Sequence, residues 1–258
     1  MLGAIAGDII GSTREATGDK RLDFPLFTRS SRFTDDTVMT VAVAHALLDD
    51  LDYAHTMREY GRRYPFAGYG MQFDKWLKDP TMGPYGSYGN GGAMRVSPVA
   101  WAAASVDDAL VEARHAAAPT HDHPEGMKGA QATALAVFLA RTGSTKEDIR
   151  REVSTRFGYD LARTVDEMRP TYVADVTAQR SVPESIICFL DAASFEAAVR
   201  NAVSLGGDAD TMACIAGAIA EAFFGGVPDP IALEVENRLP PDLYAIVMRF
   251  AERYGINS

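Results

Sequence analysis

The chain has 258 residues, a mass of 27.9 kDa and a formal net charge of −10, with 47% hydrophobic and 23% charged residues. These are globular proportions that exclude a disordered chain, and a pI near 5.0 disfavours a broad nucleic-acid or anionic-membrane surface, because both need a basic face. The two cysteines, Cys188 and Cys214, sit in apolar runs with no paired spacing. Neither a disulfide framework nor a zinc cluster is expected, and a reducing cytoplasm suits the chain.

The first ten residues, MLGAIAGDII, lack a basic leader and carry Asp8 inside an apolar stretch, so they do not read as a secretory signal. Gly3, Gly7 and Gly11 are four apart, which on a helix gives a stripe without side chains where another backbone can approach. Gly3-Ala4-Ile5-Ala6 recurs as Gly217-Ala218-Ile219-Ala220, and we expect the two small faces to pack together and join the ends of the chain. Val38, Val41, Ala42, His45 and Leu48 follow helical spacing, as do Met212, Ile215, Ala216, Ile219 and Phe223. The pattern predicts further helices over 53–63, 93–104, 106–118, 126–141, 146–157, 183–190, 194–204, 229–237 and 241–254. Ser105, Ser144 or Thr145, and Pro183 mark starts; Gly143, Gly158 and Gly225-Gly226 mark ends.

The stretch 60–92, rich in glycine and tyrosine, reads as a long loop. Strand signals are weak: Asn90-Gly91 is not flanked by alternating apolar runs. The most apolar segments, 38–48 and 212–224, fall short of the ~20 residues needed to span a bilayer. The expectation is an all-α protein, a single compact domain over 1–258, monomeric and cytoplasmic.

Two acidic clusters carry the chemistry. Thr34-Asp35-Asp36-Thr37 precedes one predicted helix, and Gly206-Gly207-Asp208-Ala209-Asp210-Thr211 precedes another. Capping accounts for one acidic residue at each helix start, but not for two. If the clusters meet, four carboxylates and two threonine hydroxyls share a small volume and repel unless they protonate or bind a cation. An all-oxygen donor set favours Mg²⁺ or Mn²⁺, with Ca²⁺ weaker, and this many carboxylates suffice for a pair of ions. The competing reading is two solvated caps that never meet. Asp8 lies among apolar residues and needs a partner. Glu15 reads as a general base, a further ligand, or a surface glutamate beside Arg14. His45, His55 and His115 fall within helices and read as structural, and Cys188 has no histidine nearby in sequence to make it a nucleophile.

Five segments in order, GAIAGDIIGSTRE at 3–15, FTDDT at 33–37, YGNGGAMRVSP at 88–98, THDHPEG at 120–126 and SLGGDADTMACIAGAIAEAFFG at 204–225, resemble the ADP-ribosylglycohydrolase family. The resemblance implies an all-α orthogonal helical bundle with two divalent cations, Mg²⁺ or Mn²⁺. It places metal ligands at Thr34, Asp35, Asp36, Asp208, Asp210 and Thr211, and catalytic roles at Glu15, Asp35 and Asp210. It also puts Asn90, Gly91, Gly92, His121 and His123 against the substrate. For such a substrate our reading of the loop adds Tyr85 or Tyr88 stacking on adenine and Arg95 offsetting the ligand's charge. The loop reads GNGG where relatives more often read GNGA. The implied activity is metal-dependent hydrolysis of the glycosidic bond joining ADP-ribose to a modified protein or a small molecule. Two other readings stand beside it, a non-catalytic ADP-ribose or nucleotide binder and a metal-dependent nucleotide phosphohydrolase.

Overall fold

The computed structural model describes residues 1–15 and 17–256, and its regular structure among them is helical. In chain order the helices are α1 (Leu2–Gly11), α2 (Asp35–Asp49), α3 (Tyr53–Arg63), α4 (Met71–Lys78), α5 (Gly91–Met94), α6 (Ser97–Ala102), α7 (Val106–Ala117) and α8 (Pro124–Arg141). They continue as α9 (Lys146–Phe157), α10 (Val165–Met168), α11 (Ala178–Leu190), α12 (Phe195–Val203), α13 (Ala209–Phe224), α14 (Asp229–Glu236) and α15 (Pro241–Tyr254). The all-α expectation holds. Extended pairing among the described residues is confined to one antiparallel bridge between Gly89 and Thr177.

The architecture is organised around α13, which is buried from Ala209 to Ala222 and apolar on every side, as a central helix must be. Helices α1, α8, α11 and α12 surround it. The closest contact is with α1. A Cβ on Gly3 would collide with the carbonyl oxygen of Gly217, one on Gly7 with that of Ala213, and one on Gly11 with that of Ala209. The expected pairing of the two small-residue faces is therefore present, with backbone against backbone. It lays Asp8, fully buried on α1, beside the start of α13. Helix α2 packs on α1 and is covered by α3 and α15, so its N-terminus points into the same region as that of α13.

Several predicted boundaries shift for local reasons. The expected helix over 93–104 is two short helices, α5 and α6, because Pro98 has no N–H to continue a ladder and the chain turns at Arg95-Val96. Within the expected loop over 60–92 lies α4, whose Phe73, Trp76 and Leu77 form a buried face at helical spacing. Helix α11 begins at Ala178, five residues ahead of the predicted start at Pro183, with Pro183 inside it. Its first turn is held where Arg180 and Ser181 donate their backbone N–H groups to the Thr177 carbonyl. The unpredicted α10 opens with a reciprocal capping box between Thr164 and Glu167, and Thr145 and Asp148 form another at α9.

The backbone contact gives a direct expectation. Gly7→Ala forces a methyl group into the Ala213 peptide and should cost about 3 kcal/mol or more, whereas Gly83→Ala, at an exposed position with open space and no positive φ, should cost far less. Comparing chemical-denaturation midpoints of the two variants checks this.

Candidate metal centre and substrate cleft

The N-termini of α2 and α13 meet, and their acidic residues meet with them. Carboxylate oxygens of Asp8, Asp36 and Asp210 lie within 4.8 Å of one another, and so do those of Glu15, Asp208 and Asp210. Asp210 belongs to both groups. Asp36, Asp208 and Asp210 are buried, and Glu15 reaches the cluster from the exposed turn after α1. Local sequence makes this approach possible at two glycines. Gly206 has φ +71°, and a Cβ on Gly207 would strike the Tyr172 ring at 2.5 Å.

Hydrogen bonds sort these carboxylates into two kinds. Asp8 is saturated: it accepts from the backbone N–H of Thr34 (2.9 Å) and of Thr37 (3.0 Å), from Thr34 Oγ1 (2.7 Å) and from Thr37 Oγ1. It acts as a clamp that fixes the entry into α2. Asp36 is unsaturated: Oδ2 accepts from Thr211 Oγ1 at 3.1 Å, while Oδ1 is buried with no partner among the described residues. Asp208 Oδ2 is held by Asn90 Nδ2 at 2.6 Å, and Asp210 Oδ1 accepts the Thr211 N–H at 3.0 Å. A buried carboxylate oxygen without a donor is costly unless a proton or a cation meets it.

Electrostatics agree with that geometry. Burial pushes the Asp8 carboxyl up to about 6, and burial together with Asp8, Asp208 and Glu15 pushes Asp35 up to about 7. Asp36 and Asp210 are raised well above the carboxylate range, by burial first and by their acidic neighbours second, and Asp208 is raised by burial. Glu15 is raised by burial and by Asp208, with Arg32 opposing. The donor set fits a hard divalent cation: several carboxylates, the Thr34 and Thr211 hydroxyls beside them, and one oxygen left open.

Beside the cluster runs a cleft of about 430 Å³. Its lining includes Glu15, Thr34, Asp35, Asp36, Asp208, Asp210 and Thr211 together with Ser87, Gly89, Asn90, Gly91, Tyr85 and His121. Of the residues singled out from sequence, Tyr88, Gly92 and His123 do not line it. Tyr88 is half exposed and packs edge-on against the His123 ring at 5.5 Å. His123 serves as the N-cap of α8, its Nδ1 accepting the Glu125 N–H at 3.1 Å. Arg95 reaches the cleft wall but is fully buried, with Nη2 committed to Ala116, Ala117 and Thr120. It is therefore placed to act through its neighbours and not by touching a ligand. His45 bonds Asp49 and Tyr60, and His115 bonds Glu112, in keeping with structural roles.

Sequence reasoning missed three contributors. Asp8 was flagged only as a carboxylate in need of a partner. Arg32 and the wall formed by Phe66, Gly68, Met71 and Phe73 were not anticipated, and Phe66 is 97% exposed at the cleft mouth. The only sequence signal for any of them is the charge of Asp8 inside an apolar helix.

A family model described as ADP-ribosylglycohydrolase matches residues 1–257. The chain belongs to the ADP-ribosylglycohydrolase family. Its relatives include the ADP-ribosylhydrolase ARH3 of Homo sapiens, 30% identical over 87% of this chain and 84% of that protein, and of Mus musculus, 31% identical over 87% and 82%. The ADP-ribosylarginine hydrolase Tri1 of Pseudomonas putida (strain GB-1) is 26% identical over 88% and 71%. A solved structure named as an ADP-ribosylglycohydrolase-related protein complex superposes with a TM-score of 0.71 at 25% identity, covering 97% of this chain and 96% of that one. By family the chain is an ADP-ribosyl glycohydrolase. No helix among the described residues is long and apolar enough to cross a membrane.

The raised carboxyls predict how the chelated protein responds to pH. A carboxyl whose pKa is higher folded than unfolded binds its proton more tightly in the folded state. The stability it adds is complete below the ordinary carboxylate range and is lost as pH rises through about 6 for Asp8 and about 7 for Asp35. His121, held neutral by burial and Arg95, works the other way below its ordinary value, but it is one group against several. The melting temperature in chelator should fall between pH 5 and pH 8. Asp36→Asn or Asp210→Asn should raise it at pH 8 by about 3 °C, corresponding to roughly 1 kcal/mol of relieved repulsion. Calorimetric melts across this range, with a flat or rising profile as the contrary result, decide the point.

Proposed function

We propose that the protein is a metal-dependent hydrolase that cleaves the glycosidic bond between ADP-ribose and a modified side chain or small molecule, releasing ADP-ribose. The observation that carries this reading is the convergence of Glu15, Asp36, Asp208 and Asp210 in the lining of a cleft, with Asp36 Oδ1 lacking any partner among the described residues. Asp36, Asp208 and Asp210, with Asp35, Thr34 and Thr211, would hold two divalent cations, Mg²⁺ or Mn²⁺. Bound there, the ions supply Lewis acidity and fix the orientation of the ribose hydroxyls.

The chain's own residues do the rest. Glycoside cleavage passes through an oxocarbenium-like transition state, which a nearby carboxylate stabilises and which needs an activated water to finish. Glu15 stands at the mouth of the cluster, and burial and Asp208 raise its pKa towards working pH, where it takes a proton from water effectively. Asn90 holds Asp208 in place, and Asp8 holds the start of α2, so neither arm of the acidic cluster must reorganise during reaction. Arg32, which lines the cleft near Glu15, supplies positive charge on the ligand side. Asn90, Gly89 and Gly91 give amide groups and open backbone against the rest of the nucleotide.

The test is release of ADP-ribose from a panel of arginine-, serine- and O-acetyl-linked substrates, with and without chelator. Activity should vanish in chelator and return with Mg²⁺ or Mn²⁺. Glu15→Gln should lower kcat by about 10²–10⁴-fold with little change in metal affinity, because it removes the base and leaves the other carboxylates in place. Release of inorganic phosphate instead of ADP-ribose would favour a nucleotide phosphohydrolase. Calorimetric binding of ADP-ribose with no product from any linkage would favour a binding protein.

A further inference from the structure

Behind the cleft wall three polar side chains form a buried chain. Arg95 is fully buried, Thr120 is fully buried, and His121 is 4% exposed where it faces the cleft. Arg95 Nη2 lies 2.9 Å from Thr120 Oγ1, and Thr120 Oγ1 lies 2.8 Å from His121 Nδ1. A guanidinium can only donate, so Thr120 accepts from Arg95. Among the described residues the Thr120 hydroxyl has no other acceptor in reach than His121 Nδ1, so its single proton goes to that nitrogen. Nδ1 is then the acceptor of the ring, and the imidazole proton resides on Nε2.

The other side of the ring is kept open. No hydrogen bond among the described residues reaches Nε2, and the nearest backbone is that of Gly89 and Gly91. A Cβ on Gly91 would lie 3.1 Å from Nε2, so glycine there leaves the nitrogen uncovered towards the cleft. Arg95 keeps two further nitrogens, Nε and Nη1, buried without partners among the described residues; burial of the ring first and the guanidinium behind it second oppose protonation of His121. The remaining charges nearby point elsewhere: Asp122 accepts the Gly86 N–H, and Asp208 is tied up by Asn90.

We propose that Arg95 and Thr120 are positioning residues that lock His121 as the neutral Nε2–H tautomer, making it a hydrogen-bond donor to substrate oxygen atoms in the cleft. The identity of those oxygens, on a ribose or a diphosphate, rests on the proposed ADP-ribose substrate; the tautomer lock does not. The device explains why a cationic side chain is fully buried in the wall of the cleft. Its charge is used to orient one proton two side chains away.

The protein labelled with [¹⁵N]histidine reports this directly. Two-bond proton–nitrogen correlations at pH 7, with the His121 signals identified by their loss in His121→Gln, should show a protonated Nε2 and a bare Nδ1. Thr120→Val removes the hydroxyl and should give a mixture of tautomers and weaken ADP-ribose binding about tenfold, the scale of one lost hydrogen bond to an anion. Thr120→Ser should retain both properties, which separates orientation from packing. A wild-type ring protonated on Nδ1, or a folded Thr120→Val protein with an unchanged tautomer, would overturn the proposal, and the wild-type spectrum decides even if the valine variant does not fold. Wild-type protein with the Nε2–H ring that binds no ADP-ribose would sink the proposed substrate while supporting the lock.

Discussion

The whole site depends on one steric fact: α1 and α13 touch through their backbones. Gly3, Gly7 and Gly11 lie directly against the backbone carbonyls of Gly217, Ala213 and Ala209. Asp8 is carried on the same helix, between Gly7 and Gly11. Because the seam is so close, its carboxylate comes within 4.8 Å of Asp36 and Asp210 although these positions are far apart in sequence. A wider helix pair would leave Asp8 remote from Asp210 and pull the cluster apart. Packing and site geometry are thus one constraint.

That constraint sets burial against repulsion. Clustering carboxylates in a low-dielectric interior destabilises the folded state, and the raised pKa values of Asp8, Asp35, Asp36, Asp208 and Asp210 are the signature of that strain. The core around α13 must offset it. Not every acid in the cluster contributes in the same way. Four donors converge on Asp8, which makes it structural, whereas Asp36 retains an oxygen that the protein itself leaves unmet. This difference separates a positioning carboxylate from a candidate ligand more sharply than proximity does.

Much of this was legible in the sequence. The glycine spacing and its echo at 217–220 announced the α1–α13 seam, and the doubled acids before two apolar helices announced the cluster. What stayed hidden has physical causes. Helix α4 is short and embedded in glycine- and tyrosine-rich sequence, so its buried face of Phe73, Trp76 and Leu77 gives little periodic signal. Pro183 reads as a helix start because it lacks an N–H, yet α11 carries it as its sixth residue, where the bond forgone is to the carbonyl of the exposed Gln179. His123 and Tyr88 share motifs with cleft residues, but a one- or two-residue offset turns them to a cap and to the surface. The wall at Phe66–Phe73 and the Arg95–Thr120–His121 chain arise from tertiary contacts, which residue spacing does not encode.

The charge pattern of the cleft also constrains how a ligand of the proposed kind is held. Its lining sets a group of carboxylates beside Arg32, amide groups and a histidine held neutral by burial and Arg95. An anionic diphosphate entering this cleft without counter-charge would meet repulsion from Asp35, Asp36, Asp208 and Asp210, against which one arginine is a small offset. A cation among those carboxylates would reverse the sign of the field there, so cation and anionic ligand would each favour the other's binding, with by linkage an equal coupling in both directions. On the proposed function, the acidic cluster whose carboxyls are raised by burial would then be the same element that makes the cleft selective, admitting the anion only in company with its counter-ion.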